Sequence, residues 1–587
     1  MQHRSVAPIS LLPLLSMIAL VGCAATGPRL TPVAESVEPP GQLFENMGSH
    51  TRKTSIRDAE AQRYFDQGLI WAFSFNHDEA IRSFREAARL DPQAALPWWG
   101  IALCNGPHVN NAIVDEAHNA AANAAIAEAQ RRRAAALPVE QALIDAVAKR
   151  YGPTAVADRR PFDEAYAAAM REVYRKFPQD ADVTALYAES LMNLQPWDYW
   201  TTDDAPKGNT AEILATLEAA LRLDPKHPGA HHLYIHACEA GPTPEKALAS
   251  ADVLRSLVPA SGHMVHMPSH IDIRVGQWDQ AAKMNLRAIE IDRDYRARSP
   301  KQGFYRVYMA HNPHFLSFAC MMQGRSAVAL HAARSLVAAI PPEFSENSPA
   351  LVDPFMSAPI DVFMRFGKWD EILAEPPPAA RFLYSTAFRH FARGVALAAK
   401  KDVAGAKREQ ADFRAATQRV PADQLVGINP ARQVLAIAEE MLEGEILLGA
   451  GARNDAIERL RAAVALEDKL LYMEPPEWQH PVRHPLGAAL LAAGRVSEAE
   501  QIYREDLRVW PENGWSLHGL ARCLDQRGET AEAAKVRARF EKVWAQADIK
   551  IDSSCLCVPG AVQQSPPRNA GKNGKADCCV AVAAGSK

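Results

Sequence analysis

Along NHDEAIRSFREAARLDP (76–92), apolar residues return at every third or fourth position: Ala80, Phe84 and Ala87, closed by Pro92. Steps of four and three keep side chains on one face of an α-helix, and the proline ends it. The same frame recurs in GQWDQAAKMNLRAIEID (276–292), GRVSEAEQIYREDLRVWP (494–511) and GETAEAAKV (528–536), with weaker copies in GKWDEIL (367–373) and ARNDAIERLRAAVALED (452–468). A chain of 587 residues is too long for a single core of ordinary size. The repeated pattern predicts that it is instead an array of amphipathic helices, with small residues such as Ala80, Ala281 and Ala499 letting paired helices approach closely. Two stretches depart from it. Ile9 to Val21 is a mostly apolar run too short to span a bilayer as a mature helix, and after Ile551 the periodicity stops.

The spacing A-x3-F-x2-A-x4-P, with Gly68 and Trp71 in the preceding helix, resembles the tetratricopeptide repeat. The resemblance covers about residues 55 to 545, with repeat starts near 61, 95, 228, 262, 310, 353, 387, 437, 480 and 514 and degenerate copies over 140–227. It implies an all-α fold, a right-handed α-solenoid of about ten or more helical hairpins. Its concave wall would be lined by repeat positions 2, 5, 9, 12 and 13 of each first helix. The expected organisation is a signal peptide (1–22), a lipid-anchor linker (23–54), an N-terminal array (55–227), histidine-rich hairpins (228–345), a C-terminal array (346–545) and a disordered cysteine-containing tail (546–587).

Histidine is where chemistry enters. Nine of the 19 histidines lie between residues 227 and 314, three of them in HMVHMPSHI (263–271). In the repeat frame, His232, His236 and Glu239 take positions 5, 9 and 12 of one hairpin. His263, His266 and His270 take 2, 5 and 9 of the next, and His311 and His314 take 2 and 5 of a third. Their spacings of three, four and seven share a helical face whatever the family. His227 and His231 fall outside this phase, while His484 and His518 return to position 5 further along. Imidazoles at i and i+4 on adjacent helices form a transition-metal arrangement, whereas calcium and magnesium prefer oxygen cages. The cofactor expected is copper or zinc, one or two ions, held by His232, His236, Glu239, His263, His266, His270, His311 and His314. Glu239 and Arg274 are the candidates for a catalytic base and an anion anchor. Met264 and Met267 fall off the groove face and read as core.

Two functional classes follow. In one, the groove binds a metal that acts on a ligand, as a metal-dependent hydrolase or oxidoreductase. In the other, the solenoid is a scaffold that grips a protein or peptide, or stores metal, without catalysis. A formal net charge of −4 with interspersed signs argues against nucleic acid. The motifs of P-loop, dinucleotide-binding, nucleophile-elbow and H-E-x-x-H enzymes are missing from the sequence.

The remaining signals concern location and cysteines. Leu20-Val21-Gly22-Cys23 resembles the lipobox of bacterial lipoproteins. That implies lipidation at Cys23, a membrane partner through the lipid anchor and, because Ala24 and not Asp follows, an outer-membrane protein on the periplasmic face. Cys104, Cys238, Cys320 and Cys523 fall at packing positions. Cys555, Cys557, Cys578 and Cys579 sit in the polar tail, where they could form disulfides or capture a soft ion as an accessory metal site. The segment 196–210, rich in Trp, Pro and Asp, interrupts the repeat frame and is a candidate lid or insertion over the groove, or a surface loop.

Overall fold

The computed structural model describes residues 41–299 and 301–558. The chain divides into two units, residues 1–40 and 41–587, and the described residues belong to the second. Cys23, Cys578 and Cys579 lie outside the described residues.

Among those residues the elements are helices, apart from one short antiparallel pair, Leu425–Val426 with Asn429–Pro430. The helices stack as successive hairpins, an all-α solenoid. Local chemistry sets each start. The Asp58 side chain accepts from the Ala61 N–H at 2.8 Å and opens Ala59–Phe73. Asn76 caps His77–Leu90 in the same way. Phe84, fully buried, wedges between this hairpin and the next. A Cβ added at Gly68 would lie 2.7 Å from its ring, and one at Gly100 2.6 Å. Both positions therefore need glycine for close approach.

The hairpins that matter for the site are Pro228–Glu239 with Leu248–Leu257, then Gly262–His266 and Pro268–Arg274 with Trp278–Arg298, then Arg306–Met322 with Ser326–Ala339. The stack curls until distant hairpins touch. Asn76 Nδ2 donates to Tyr295 Oη at 2.9 Å and Arg82 to Ser299 Oγ at 3.2 Å, joining the first hairpin to Trp278–Arg298. Trp278 Nε1 donates to the Pro511 carbonyl at 2.8 Å and Trp515 Nε1 to that of Met321 at 2.8 Å, joining the last hairpins to the same region. The expected open concave wall is thus closed off here. Most of the residues assigned to it are buried, His232 and His266 completely.

The start of the presumed tail is packed, not loose. Ser554 Oγ donates to the His484 carbonyl at 2.9 Å and is 2.6 Å from Tyr503 Oη, while Leu556, Cys557 and Val558 are buried. Truncation after Ile551 is expected to lower stability by roughly 3–6 kcal/mol, an upper figure set by burial of one Leu and one Val side chain. Thermal denaturation checks this; an unchanged transition would show that the segment contributes nothing. Among the described residues no helix is long and apolar enough to cross a membrane.

Candidate metal centre

The three central hairpins bring six imidazoles into two trios, His232/His236/His263 and His266/His270/His311. Within each trio, ligand atoms lie within 4.8 Å of one another. In the first, His232 Nε2 is 3.1 Å from His236 Nε2 and 3.1 Å from His263 Nε2. In the second, His266 Nε2 is 2.8 Å from His270 Nε2. Two ligands at 2.0–2.1 Å on a tetrahedral ion are separated by about 3.3 Å, so these spacings are close to those of a coordination shell.

What stands behind the rings decides how they can be protonated. His232 Nδ1 is 2.6 Å from the Phe73 carbonyl, and His236 Nδ1 is 2.9 Å from Glu239 Oε1. His270 Nδ1 meets Glu239 Oε2. His266 Nδ1 is 2.7 Å from Asn285 Oδ1, whose assignment is fixed because Asn285 Nδ2 donates to the Ala281 carbonyl at 2.8 Å. A carbonyl or carboxylate oxygen only accepts, so each of these four rings carries its proton on Nδ1. In the second trio His270, raised by Glu239 and Glu474, also keeps a proton on Nε2 and donates it to His266 Nε2. In the first, the Nε2 atoms of His232 and His236 present lone pairs to one another at 3.1 Å, with no hydrogen between them. A cation resolves this repulsion; a second imidazole does not.

Burial, followed by the neighbouring imidazoles, holds His232, His263, His266 and His311 well below the ordinary histidine range. His270 differs: burial alone would lower it, but Glu239 and Glu474 outweigh that and raise it. Glu239 is correspondingly held below the usual carboxylate range, because His270 and His236 outweigh its burial. Burial pushes Glu474 up. In the metal-free protein the four lowered histidines stay neutral while the unfolded chain takes up protons. The contribution of these four groups to stability is therefore expected to fall as pH drops below about 6.5, the unfolded value, toward the lower folded values, with His270 and the raised Glu474 opposing. Denaturant melts of chelator-treated wild type and His263→Ala between pH 7 and pH 5 check this; a stability difference between the two that stays constant would contradict it.

Two expected members are placed differently. Glu239 has both oxygens engaged on Nδ1 atoms, so it orients one ring of each trio and ties the trios together. It also forms a third grouping with His270 and Glu474. His314 belongs to neither trio; its Nε2 meets Gln479 and its ring packs on Phe355 at 5.4 Å. Arg274 is close by, donating to the Glu239 carbonyl at 2.5 Å and stacking on Tyr472 at 5.0 Å. His227, off phase in the sequence, is a buried helix cap. Its Nδ1 accepts from the Ala230 N–H at 3.0 Å and its Nε2 is 3.1 Å from Asp182. His484 pairs with Asp506 at 2.9 Å. Met264 and Met267 are fully buried in the core.

Several neighbours of the centre were invisible to the repeat frame. Glu474 arrives on the segment 468–482, between two C-terminal helices, and comes within 2.7 Å of His270 Nδ1 without hydrogen-bond alignment. Phe75 packs on His232 at 4.4 Å, and Trp197, from the candidate lid, on His236 at 5.2 Å. Both aromatics hold left-handed backbone, φ 56° and 64°. Bulky residues adopt it at a cost of about 1–3 kcal/mol, and such strain gathers at functional sites. Trp200 Nε1 donates to the Ala237 carbonyl at 2.9 Å and fastens the lid segment to the histidine-bearing helix.

No protein-family model matches the chain, and no curated protein matches it. Solved structures with some likeness include human IFIT1, a dimer with PPP-AAAA (13% identity, covering 84% of this chain and 92% of that one, TM-score 0.29). Others are yeast Tom70 (11%, 82% and 90%, 0.27) and the APC/C hetero-tetramer Cut9-Hcn1 (13%, 79% and 76%, 0.28). Likeness at this level says nothing of the imidazole centre.

Proposed function

We propose that this helical solenoid is a transition-metal protein whose enclosed centre takes two ions, copper or zinc, one in each histidine trio. The observation that carries this is the pinned Nδ1 protons. Acceptor-only oxygens behind His232 and His236 leave their Nε2 lone pairs converging at 3.1 Å, and those behind His266 and His270 turn the Nε2 atoms of the second pair to one another at 2.8 Å, where an ion would displace the proton between them. A bound ion would supply Lewis acidity or, for copper, one-electron chemistry. The chain's own part is to orient the rings through Phe73, Asn285 and Glu239, to shield the first trio with Phe75 and Trp197, and to hold negative charge nearby on Glu239. Arg274 beside Glu239 offers an anchor for an anionic ligand.

Burial of the trios supports an ion over a peptide as the occupant of this centre. The wider solenoid keeps the extended surface that suits a protein or other ligand. Elemental analysis of protein purified without chelator tests the reading: two equivalents of copper or zinc are expected, and metal-free protein that takes up neither would refute it. We place the protein on the periplasmic face of the outer membrane, anchored through Cys23. Cys23→Ser is expected to move it from the membrane to the soluble fraction; detergent-dependent retention of that variant would count against the anchor.

A further inference from the structure

A second cluster shares no residue with the trios. Glu445 lies in the helix Ala431–Gly449, 1% exposed, and neither carboxylate oxygen has a hydrogen-bond partner. Its ligand atom and the sulfurs of Cys555 and Cys557 all lie within 4.8 Å of one another. The two cysteines form a disulfide across a single intervening residue, packed against the C-terminal core.

Neither half of the cluster is explained by stability. A buried carboxylate without a partner is costly and rare in native structures. A disulfide that closes so short a loop restricts the unfolded chain little, so it is a weak staple. Two sulfurs on one turn of chain and a carboxylate facing them are, however, a ready chelate for a tetrahedral ion. The oxygen donor favours zinc over the softer copper(I).

We propose that Cys555, Cys557 and Glu445 form a redox-gated site for a zinc-class divalent ion. In the oxidised protein the sulfurs are consumed in the S–S bond and the site is shut. An external dithiol delivers two electrons and two protons, becoming a disulfide itself, and leaves two thiols. On binding, the two S–H protons and the proton that burial keeps on Glu445 pass to solvent, two metal–sulfur bonds and one metal–oxygen bond form, and water fills the fourth position. The proposal does not depend on the trios holding metal.

The test uses the full chain carrying Cys578→Ser/Cys579→Ser, so that the other tail thiols cannot contribute, and cadmium, whose bonds to thiolate give an ultraviolet charge-transfer band that bonds to imidazole do not. Protein reduced with a phosphine and desalted without oxygen is expected to develop this band, saturating at one equivalent; oxidised protein is expected to develop none. Cys555→Ser/Cys557→Ser should abolish the band. Glu445→Gln should weaken cadmium affinity at least tenfold while keeping the band at saturation. A reduced wild type without the band, a double variant that retains it, or a Glu445→Gln protein of unchanged affinity would each overturn the assignment. Should Glu445→Gln lose its helical circular dichroism, the contrast between reduced and oxidised wild type still decides.

Discussion

Purified His263→Ala protein is expected to carry one transition-metal ion per chain where the wild type carries two, and His311→Ala the same. The double variant should carry none. These two are the informative choices because no hydrogen bond is made by His263 Nδ1, and His311 is half-buried and makes its contacts through ring packing. Removing either takes one of three imidazoles from one trio without stranding a buried partner. His236→Ala or His270→Ala would instead leave Glu239 short of a partner, and those two residues belong to different trios. Folding should survive in all three variants, judged by circular dichroism. The thermal transition should fall, since an ion present at ~1,000 times its dissociation constant stabilises the fold by about 4 kcal/mol. Simultaneous loss of both ions in a single variant would mean one shared centre, and retention of both would remove these residues from the shell.

Glu239→Gln is expected to weaken metal binding at both trios together, by roughly 10- to 100-fold, the usual cost of losing a partner that orients ligands. The reason is bridging: its two oxygens receive Nδ1–H from His236 and His270, one ring of each trio. An amide keeps the shape but offers one oxygen, and its NH2 group opposes one imidazole N–H, so one ring loses its orientation outright. The metal-free protein should also lose about 3–5 kcal/mol, because the buried pair with His270 is broken from one side. Chelator competition and denaturant melts measure the two effects. Weakening confined to one trio would show that Glu239 does not couple them, and unchanged affinity at both would leave it only a packing role.

The periodicity of three and four, carried by Ala80, Phe84 and Ala87 and its later copies, sufficed to read out an all-α repeat array, because amphipathic spacing is local. The helical phase of His232, His236, His263, His266, His270 and His311 followed from the same local rule. What it did not contain was any relation between hairpins distant in the chain. Curling of the stack, through Asn76–Tyr295 and Trp278–Pro511 contacts more than 200 residues apart, turned an expected open groove into a closed centre. It also brought Glu474 to His270 from a segment without a repeat position. The sorting of six rings into two trios, with Glu239 between them and His314 turned away to Gln479, depends on side-chain direction across helix pairs, which no linear spacing encodes. The tail shows the same divide. Its loss of periodicity was plain, but not the burial of Leu556, Cys557 and Val558, because a docking surface for so short a segment exists only after the last hairpins have packed. Sequence determined which faces carry imidazole; tertiary closure decided which imidazoles meet, because burial and convergence are properties of the packed solenoid and of no single helix.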